Sequence, residues 1–217
     1  MKECENCKKK EGCKIRKQVY MNGMNSCREW TGVKVLLGIP CMETVPTRFA
    51  VSLLGLKKPE GTEFLFSIGS LIQEARDNIA NYAIENGFDY VLWLDSDMTF
   101  PDDTLYRLML KGKDIVSGLY YKRQLPKIPV IYEKTDGGFI PMMEIPDGMF
   151  RADAVGIGCT LMKTEALKKV RESGEMFSPY TRMGEDLSFC VRAKRAGLEI
   201  WCDPEIKCGH LMMMEVK

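Results

Sequence analysis

From Val33 onward the apolar positions change period repeatedly, and the changes mark out alternating strands and helices. Val33-Lys-Val-Leu-Leu-Gly-Ile-Pro40 is a strand-like run closed by Gly and Pro, and reads as the buried strand that opens the main domain. Thr62 to Ile68 gives a second strand. Leu71, Ile72, Ala75, Ile79 and Ala83 then recur at helical spacing until Asn86-Gly87 stops the helix, so the order here is strand, strand, helix. Tyr90-Val-Leu-Trp-Leu94 is an unbroken apolar run, as expected for a central parallel strand covered on both faces. Pro101-Asp102-Asp103 predicts the start of a helix with acidic residues in its first turn, and Asp114-Ile-Val-Ser-Gly118 supplies the next strand. Residues 119–150 break the rhythm with four prolines and a Gly137-Gly138 pair, and read as a surface insertion flanking the site. Ala152 to Met162 follows as a glycine-interrupted strand. Thr164 caps a short helix, Gly184 opens an amphipathic helix ending at Ala196-Gly197, and Glu199-Ile-Trp201 is a last short strand. Strands alternating with helices predict an open, mostly parallel α/β sheet whose ligands bind outside the carboxyl ends of its strands.

Composition narrows the class. The chain's 217 residues allow one sizeable core, and its 31 basic and 30 acidic residues nearly cancel, so no whole-molecule field draws it onto nucleic acid or an anionic membrane. No stretch approaches the roughly 20 apolar residues of a membrane span, and a soluble, cytoplasmic protein is expected. Residues 1–30 differ from the rest. They carry eight Lys/Arg against four Glu, a net of +4, and four of the nine cysteines, without any sustained apolar period. They read as a separate Cys-rich basic module, with residues 31–217 as the main domain. Cys4-x2-Cys7-x5-Cys13 with Cys27 offers four thiolates for a structural Zn²⁺; an iron-sulfur cluster, a redox pair or four unligated thiols stay open on this spacing. Cys159, Cys190, Cys202 and Cys208 read as structural.

The candidate chemistry begins at Asp95-Ser96-Asp97, at the carboxyl end of the 90–94 strand. Two carboxylates one residue apart can address a metal and its ligand from a single turn, and oxygen donors suit Mg²⁺ or Mn²⁺, which share their coordination sphere with substrate phosphates. Taken alone, a polar turn before a helix is the simpler reading. Glu185 and Asp186, which follow Gly184, are by themselves good helix-start chemistry, and the only histidine, His210, is by itself as readily structural as a ligand.

The company of these residues is more specific. Tyr90-Val-Leu-Trp-Leu-Asp-Ser-Asp-Met-Thr-Phe-Pro101 resembles the metal-binding strand of the GT-A glycosyltransferases, in particular the large inverting family with many small bacterial and phage-encoded members. Leu71 to Asn78 is similar to the helix before that strand, Asp114 to Tyr121 to the strand after it, Val155 to Met162 to the acceptor-side strand, and Gly184-Glu185-Asp186 to the catalytic carboxylate motif. Together they cover roughly residues 33–210 in the family's order, and ordered context is what gives short motifs their specificity.

The resemblance implies a metal-dependent transfer of a sugar from a nucleoside diphosphate sugar, UDP-linked by preference, to the hydroxyl of a glycan, lipid or protein, with inversion. It implies Asp97 as principal metal ligand, with Asp95 at the ribose or a metal-bound water and His210 as a further ligand to Mn²⁺ or Mg²⁺. It implies Asp186 as the general base and Glu185 as its neighbour orienting the acceptor. Arg76 and Lys122 or Arg123 are expected to contact the diphosphate, and Tyr120, Tyr121 and Trp93 to stack on base or sugar, although Trp93 within its apolar strand is more simply core. Where similar enzymes place a nucleotide-receiving turn, this chain has Ile39-Pro-Cys-Met-Glu-Thr-Val-Pro46; Pro40 is retained, and Glu43 and Thr44 are the candidates for uracil or ribose. The short run after His210 implies a minimal catalytic unit. Two other readings remain: a non-catalytic interaction module that uses the Cys-rich arm, and a nucleotidyltransferase. The second lacks a Gly-rich loop and following lysine near the first strand.

Overall fold

The computed structural model describes residues 32–212. Cys4, Cys7, Cys13, Cys27 and the rest of the basic arm lie outside the described residues, and the zinc expectation with them.

The first apolar run forms β1 (Val35–Cys41) and the second forms β2 (Glu63–Ile68), paired in parallel. Between them lies a helix absent from the sequence reading, α1 (Thr47–Gly55). Its buried residues, Phe49 and Leu53, are four apart, one turn of a helix. The expected helix is α2 (Ile72–Glu85), closed by Asn86 and by Gly87 at φ +68°. β3 (Tyr90–Leu94) and the two-residue β4 (Met98–Thr99) flank Asp95-Ser96-Asp97. α3 (Thr104–Met109) starts later than expected: Asp103 is its N-cap residue, so the acidic pair precedes the helix instead of filling its first turn.

β5 (Ile115–Leu119) leads into the predicted insertion, where β6 (Ile131–Thr135) and β7 (Gly138–Pro141) form a hairpin. The glycine-interrupted strand resolves into β8 (Phe150–Ala152), β9 (Ala154–Val155) and β10 (Cys159–Lys163). Thr164 does not cap the next helix. It is the first residue of α4 (Thr164–Arg171), with Lys163 at the cap position and the Thr164 hydroxyl left without a partner. α5 (Glu185–Arg195) follows Gly184 as expected, and β11 (Ile200–Lys207) and β12 (Gly209–His210) close the described chain.

The main sheet has the order β2-β1-β3-β10-β5-β11-β8. Five of its seven strands run one way; β10, between β3 and β5, and β8, at the edge, run against them. Helices cover both faces, which is why β1, β3 and β5 read as unbroken apolar runs. Ile79, Ala80 and Ala83 of α2 pack with Leu167 and Val170 of α4 and Phe189 of α5 on the face carrying Leu36, Val91, Trp93 and Met162. Phe49 and Leu53 of α1 and Leu105, Leu108 and Met109 of α3 cover the face carrying Leu37, Ile39, Leu92, Leu94 and Leu161. Gly38 sets the approach of α2 to β1, since a Cβ there would stand 2.6 Å from Ile79 Cγ2.

Gly156 matters in the same way. A Cβ at this position would lie 2.1 Å from the Tyr120 hydroxyl and 2.5 Å from Val130 Cγ1. Tyr120 is buried and its hydroxyl is held by the Gly158 N–H, so it has nowhere to move. Gly156→Ala is therefore expected to cost about 2–3 kcal/mol through overpacking. A lowered urea midpoint at unchanged slope is the check.

Candidate active site

The carboxyl end of β3 opens into a cleft of about 350 Å³ lined by Pro40, Asp95, Asp97, Glu185, Asp186 and His210. Arg76 lies at its base and Arg123 at its rim. The fold thus brings Pro40, Arg76, Asp95, Asp97, Arg123, Glu185, Asp186 and His210 to one cleft. Glu43 and Thr44, exposed on the turn after β1, do not line it, and neither do Trp93, Tyr120, Tyr121 or Lys122.

The Asp95 turn is fixed through its backbone. Asp95 N–H donates to the Gly158 carbonyl at 3.0 Å, and Asp95's own carbonyl accepts from Met98 N–H at 3.0 Å. Gly158 carries no side chain for a reason, because a Cβ there would be 3.0 Å from Asp95 Oδ2 and 3.1 Å from the Tyr120 hydroxyl. Tyr120 is thereby a buried support of the turn and is not exposed for stacking on a base or sugar; Trp93 is fully buried core. The two glycines that interrupt the strand were the sequence signal for this close approach.

Arg76 is the hub. Although its position in α2 suggested a diphosphate contact, its guanidinium is buried beneath three carboxylates. Nη2 is 3.0 Å from Asp95 Oδ1 and 3.4 Å from Asp186 Oδ1, and Nε is 3.6 Å from Glu185 Oε1. Burial alone lowers an arginine's proton affinity, but these three anions raise it above its ordinary value, so the charge is secure. Its Nε and Nη1, and Asp186 Oδ1, have no hydrogen-bond partner, so hydrogen-bonding capacity remains unmet at the cleft base.

Asp186 shares the first turn of α5 with Glu185, and its Oδ2 accepts the Ile157 N–H at 3.1 Å. Burial raises its pKa to about 7; Arg76 opposes the rise, while Glu185 and Asp95 add to it. A carboxylate poised there is suited to general-base work at neutral pH.

Asp97 and His210 form the other centre. Pairing of β4 with β12 sets His210 opposite Met98, and Leu211 N–H donates to the Asp97 carbonyl at 2.8 Å. His210 Nδ1 lies 2.9 Å from the Tyr121 carbonyl, which can only accept, so Nδ1 carries a proton and Nε2 faces Asp97 Oδ1 at 3.4 Å. This fixed ring orientation is the outer support that metal-ligating histidines have. Burial lowers the His210 pKa, yet Asp97 and the Tyr121 carbonyl raise it overall, and Asp97 is held below the usual carboxylate range, against burial, by His210 and Arg123. Arg123 Nη1 is 2.8 Å from Asp97 Oδ2, so the predicted insertion does flank the site, and its arginine touches the carboxylate turn itself. Asp95 turns to Arg76 instead of joining Asp97 and His210. Among the described residues no three His, Cys, Asp or Glu side chains are grouped as an ion cage. A divalent ion held by Asp97 and His210 would draw its remaining ligands from phosphate and water, the usual arrangement for Mg²⁺ in nucleotide sites.

No protein-family model and no curated protein matches the chain by sequence. Solved structures do match its fold. A197 from STIV superposes over 83% of this chain and 86% of its own, with a TM-score of 0.60 and 21% identity. GalNAc-T7, crystallised with UDP, GalNAc and Mn²⁺, gives 0.57 at 9% identity over 84% of this chain. S. aureus TarS 1–349, in complex with UDP-GlcNAc, gives 0.54 at 12% identity over 85%. The match spans only 43% and 60% of those two longer chains. No helix among the described residues is long and apolar enough to cross a membrane. The seven-stranded sheet, its helical layers and its superposition on two glycosyltransferases give this chain a GT-A-like fold.

Proposed function

We propose that the chain transfers a sugar from a nucleoside diphosphate sugar, UDP-linked, to a hydroxyl acceptor with inversion. The observation that carries this reading is the convergence of Asp95, Asp97 and His210 with Glu185 and Asp186 on one cleft whose base has unmet hydrogen-bonding capacity. The UDP, UDP-GlcNAc and Mn²⁺ named for the two glycosyltransferase structures support the donor class and the ion.

In this reading Asp97 and His210 hold Mn²⁺ or Mg²⁺, which when bound supplies positive charge against the leaving diphosphate. Asp186 accepts the proton of the acceptor hydroxyl as that oxygen attacks the anomeric carbon, and Glu185 orients the acceptor. Arg76 positions Asp95 toward the nucleotide and Asp186 toward the acceptor with a single guanidinium. Pro40 borders the nucleotide side, and Arg123 contributes a charge-assisted contact to phosphate from the rim.

The test is thermal stabilisation by a panel of nucleoside diphosphates with Mn²⁺. At a hundredfold excess over Kd, UDP is expected to add about 2.7 kcal/mol to the stability of the wild type, and Asp97→Ala to remove the Mn²⁺-dependent part. No shift with any nucleotide would refute the donor site and favour an interaction module that keeps the fold without the chemistry.

A further inference from the structure

A second cavity, of about 570 Å³, lies between α4, α5 and the segment joining them, and is lined by Lys169, Glu172, Ser173, Tyr180, Arg192 and Arg195. It shares no residue with the carboxylate cleft. From Asp186 it is six residues along α5 to Arg192 and nine to Arg195, roughly 9 and 14 Å of helix rise.

Its charge is unbalanced. Of the carboxylates around it, Glu172 lines the cavity itself, Asp77 accepts the Phe177 N–H and acts on Arg192 through space, Asp153 pairs with Lys194, and Glu165 pairs with Lys168. Lys169, Arg192 and Arg195 are in no ion pair among the described residues. Arg192 lies over the Tyr180 ring at 4.2 Å, its Nη1 3.5 Å from the Met176 carbonyl, and Arg195 Nη1 donates to the Tyr180 hydroxyl at 3.1 Å. The ring and these bonds hold both guanidinium groups in position, so that little side-chain freedom is left to lose when a ligand arrives.

Basic residues in the last turn of a helix also answer the helix dipole, and this accounts for part of the charge. It does not account for all of it. The lining itself sets three cations, Lys169, Arg192 and Arg195, against one carboxylate, Glu172, and Asp77 offsets Arg192 only in part. A positive remainder facing a cavity large enough for a sugar phosphate calls for an anion.

We infer that this cavity binds a phosphate-bearing ligand, with Lys169, Arg192 and Arg195 meeting the phosphate oxygens. Planar arginine forks suit bidentate contact with a phosphate group, and Ser173 borders the space left for the remainder of the ligand. The site is independent of the carboxylate cleft, needs no divalent ion, and stands whether or not the chain transfers sugars.

The experiment is titration of the ¹⁵N-labelled protein in EDTA with inorganic phosphate and, separately, with glucose 6-phosphate. Expected are saturable shifts of the amides of residues 169–173, 180 and 192–196, with those of residues 95–97 and 210 unmoved. Saturation by both probes identifies free phosphate as a sufficient ligand, and saturation by the sugar phosphate alone identifies the phosphorylated sugar as the source. Lys169→Ala with Arg195→Ala is expected to weaken either titration at least tenfold. Both residues are exposed, and an unchanged amide spectrum elsewhere establishes that the variant is folded. Shifts centred on the carboxylate cleft, no saturation by 20-fold above about 1 mM, or equal affinity in the double variant would each overturn the proposal.

Discussion

Asp186→Asn is expected to slow sugar transfer by about 10²–10⁴-fold, the usual contribution of a positioned general base, while UDP still binds in the presence of Mn²⁺. The separation follows from geometry. An asparagine oxygen can still accept the Ile157 N–H that now goes to Asp186 Oδ2, so the start of α5 keeps its anchor, but no group there can take the acceptor's proton. The wild-type pH profile gives a second readout. Asp186 titrates at about 7, so the rate is expected to fall with acidification below that pH as the carboxylate takes up its proton. The variant's residual rate should lack this acid limb. A donor-dependent rate that is unchanged in Asp186→Asn would remove the base assignment and leave the donor site intact. The same shift has a stability sign: because the folded-state pKa is raised, Asp186 costs stability as the pH climbs from the ordinary carboxylate range to about 7, and the cost is constant above it.

The second large effect is expected at Arg76. Arg76→Met retains a long, adaptable side chain but takes away the cation that pairs with Asp95, Glu185 and Asp186. Removing one partner from a buried ion network costs about 3–5 kcal/mol; the carboxylates here reach the cleft's water, which places the expectation at about 2–4 kcal/mol. Loss of Arg76 also removes what opposes the upward shift of Asp186, so the acid limb of the rate profile should move to higher pH. Arg76→Lys restores charge without the fork and should recover stability more fully than rate. A destabilised protein with an unmoved pH limb would reduce Arg76 to a packing role.

Much of this architecture was legible because its causes are local. A strand covered on both faces must be apolar throughout, so β1, β3 and β5 declared themselves, and Asn86-Gly87 marked the end of α2 by its turn chemistry. The helix α1 escaped because its amphipathic signal rests on Phe49 and Leu53 alone, with Val51 and Leu54 exposed and blurring the period. The acidic residues and His210 were also legible as candidates. Their partnerships were not. Arg76 reads as a diphosphate contact, and only the folded chain shows it paired with Asp95, 19 residues away in sequence and 3.0 Å away in space. Tyr120 is an aromatic residue near a site by sequence and a buried prop for a glycine pair by structure. The direction of β10 was likewise beyond the pattern, since an apolar strand between two others reads identically either way round.

The pairing of β12 with β4 has a temporal side. Asp97 is made early, before most of the sheet, and His210 among the last described residues, so the nascent chain carries Asp97 without its histidine neighbour while everything between them is translated. At elongation rates of about 5–20 residues per second that interval lasts on the order of ten seconds. During it, Arg123 emerges well before His210 and can claim Asp97 first. Order of synthesis thus favours a precursor in which Asp97 already pairs with the chain's own Arg123 before β12 docks beside β4.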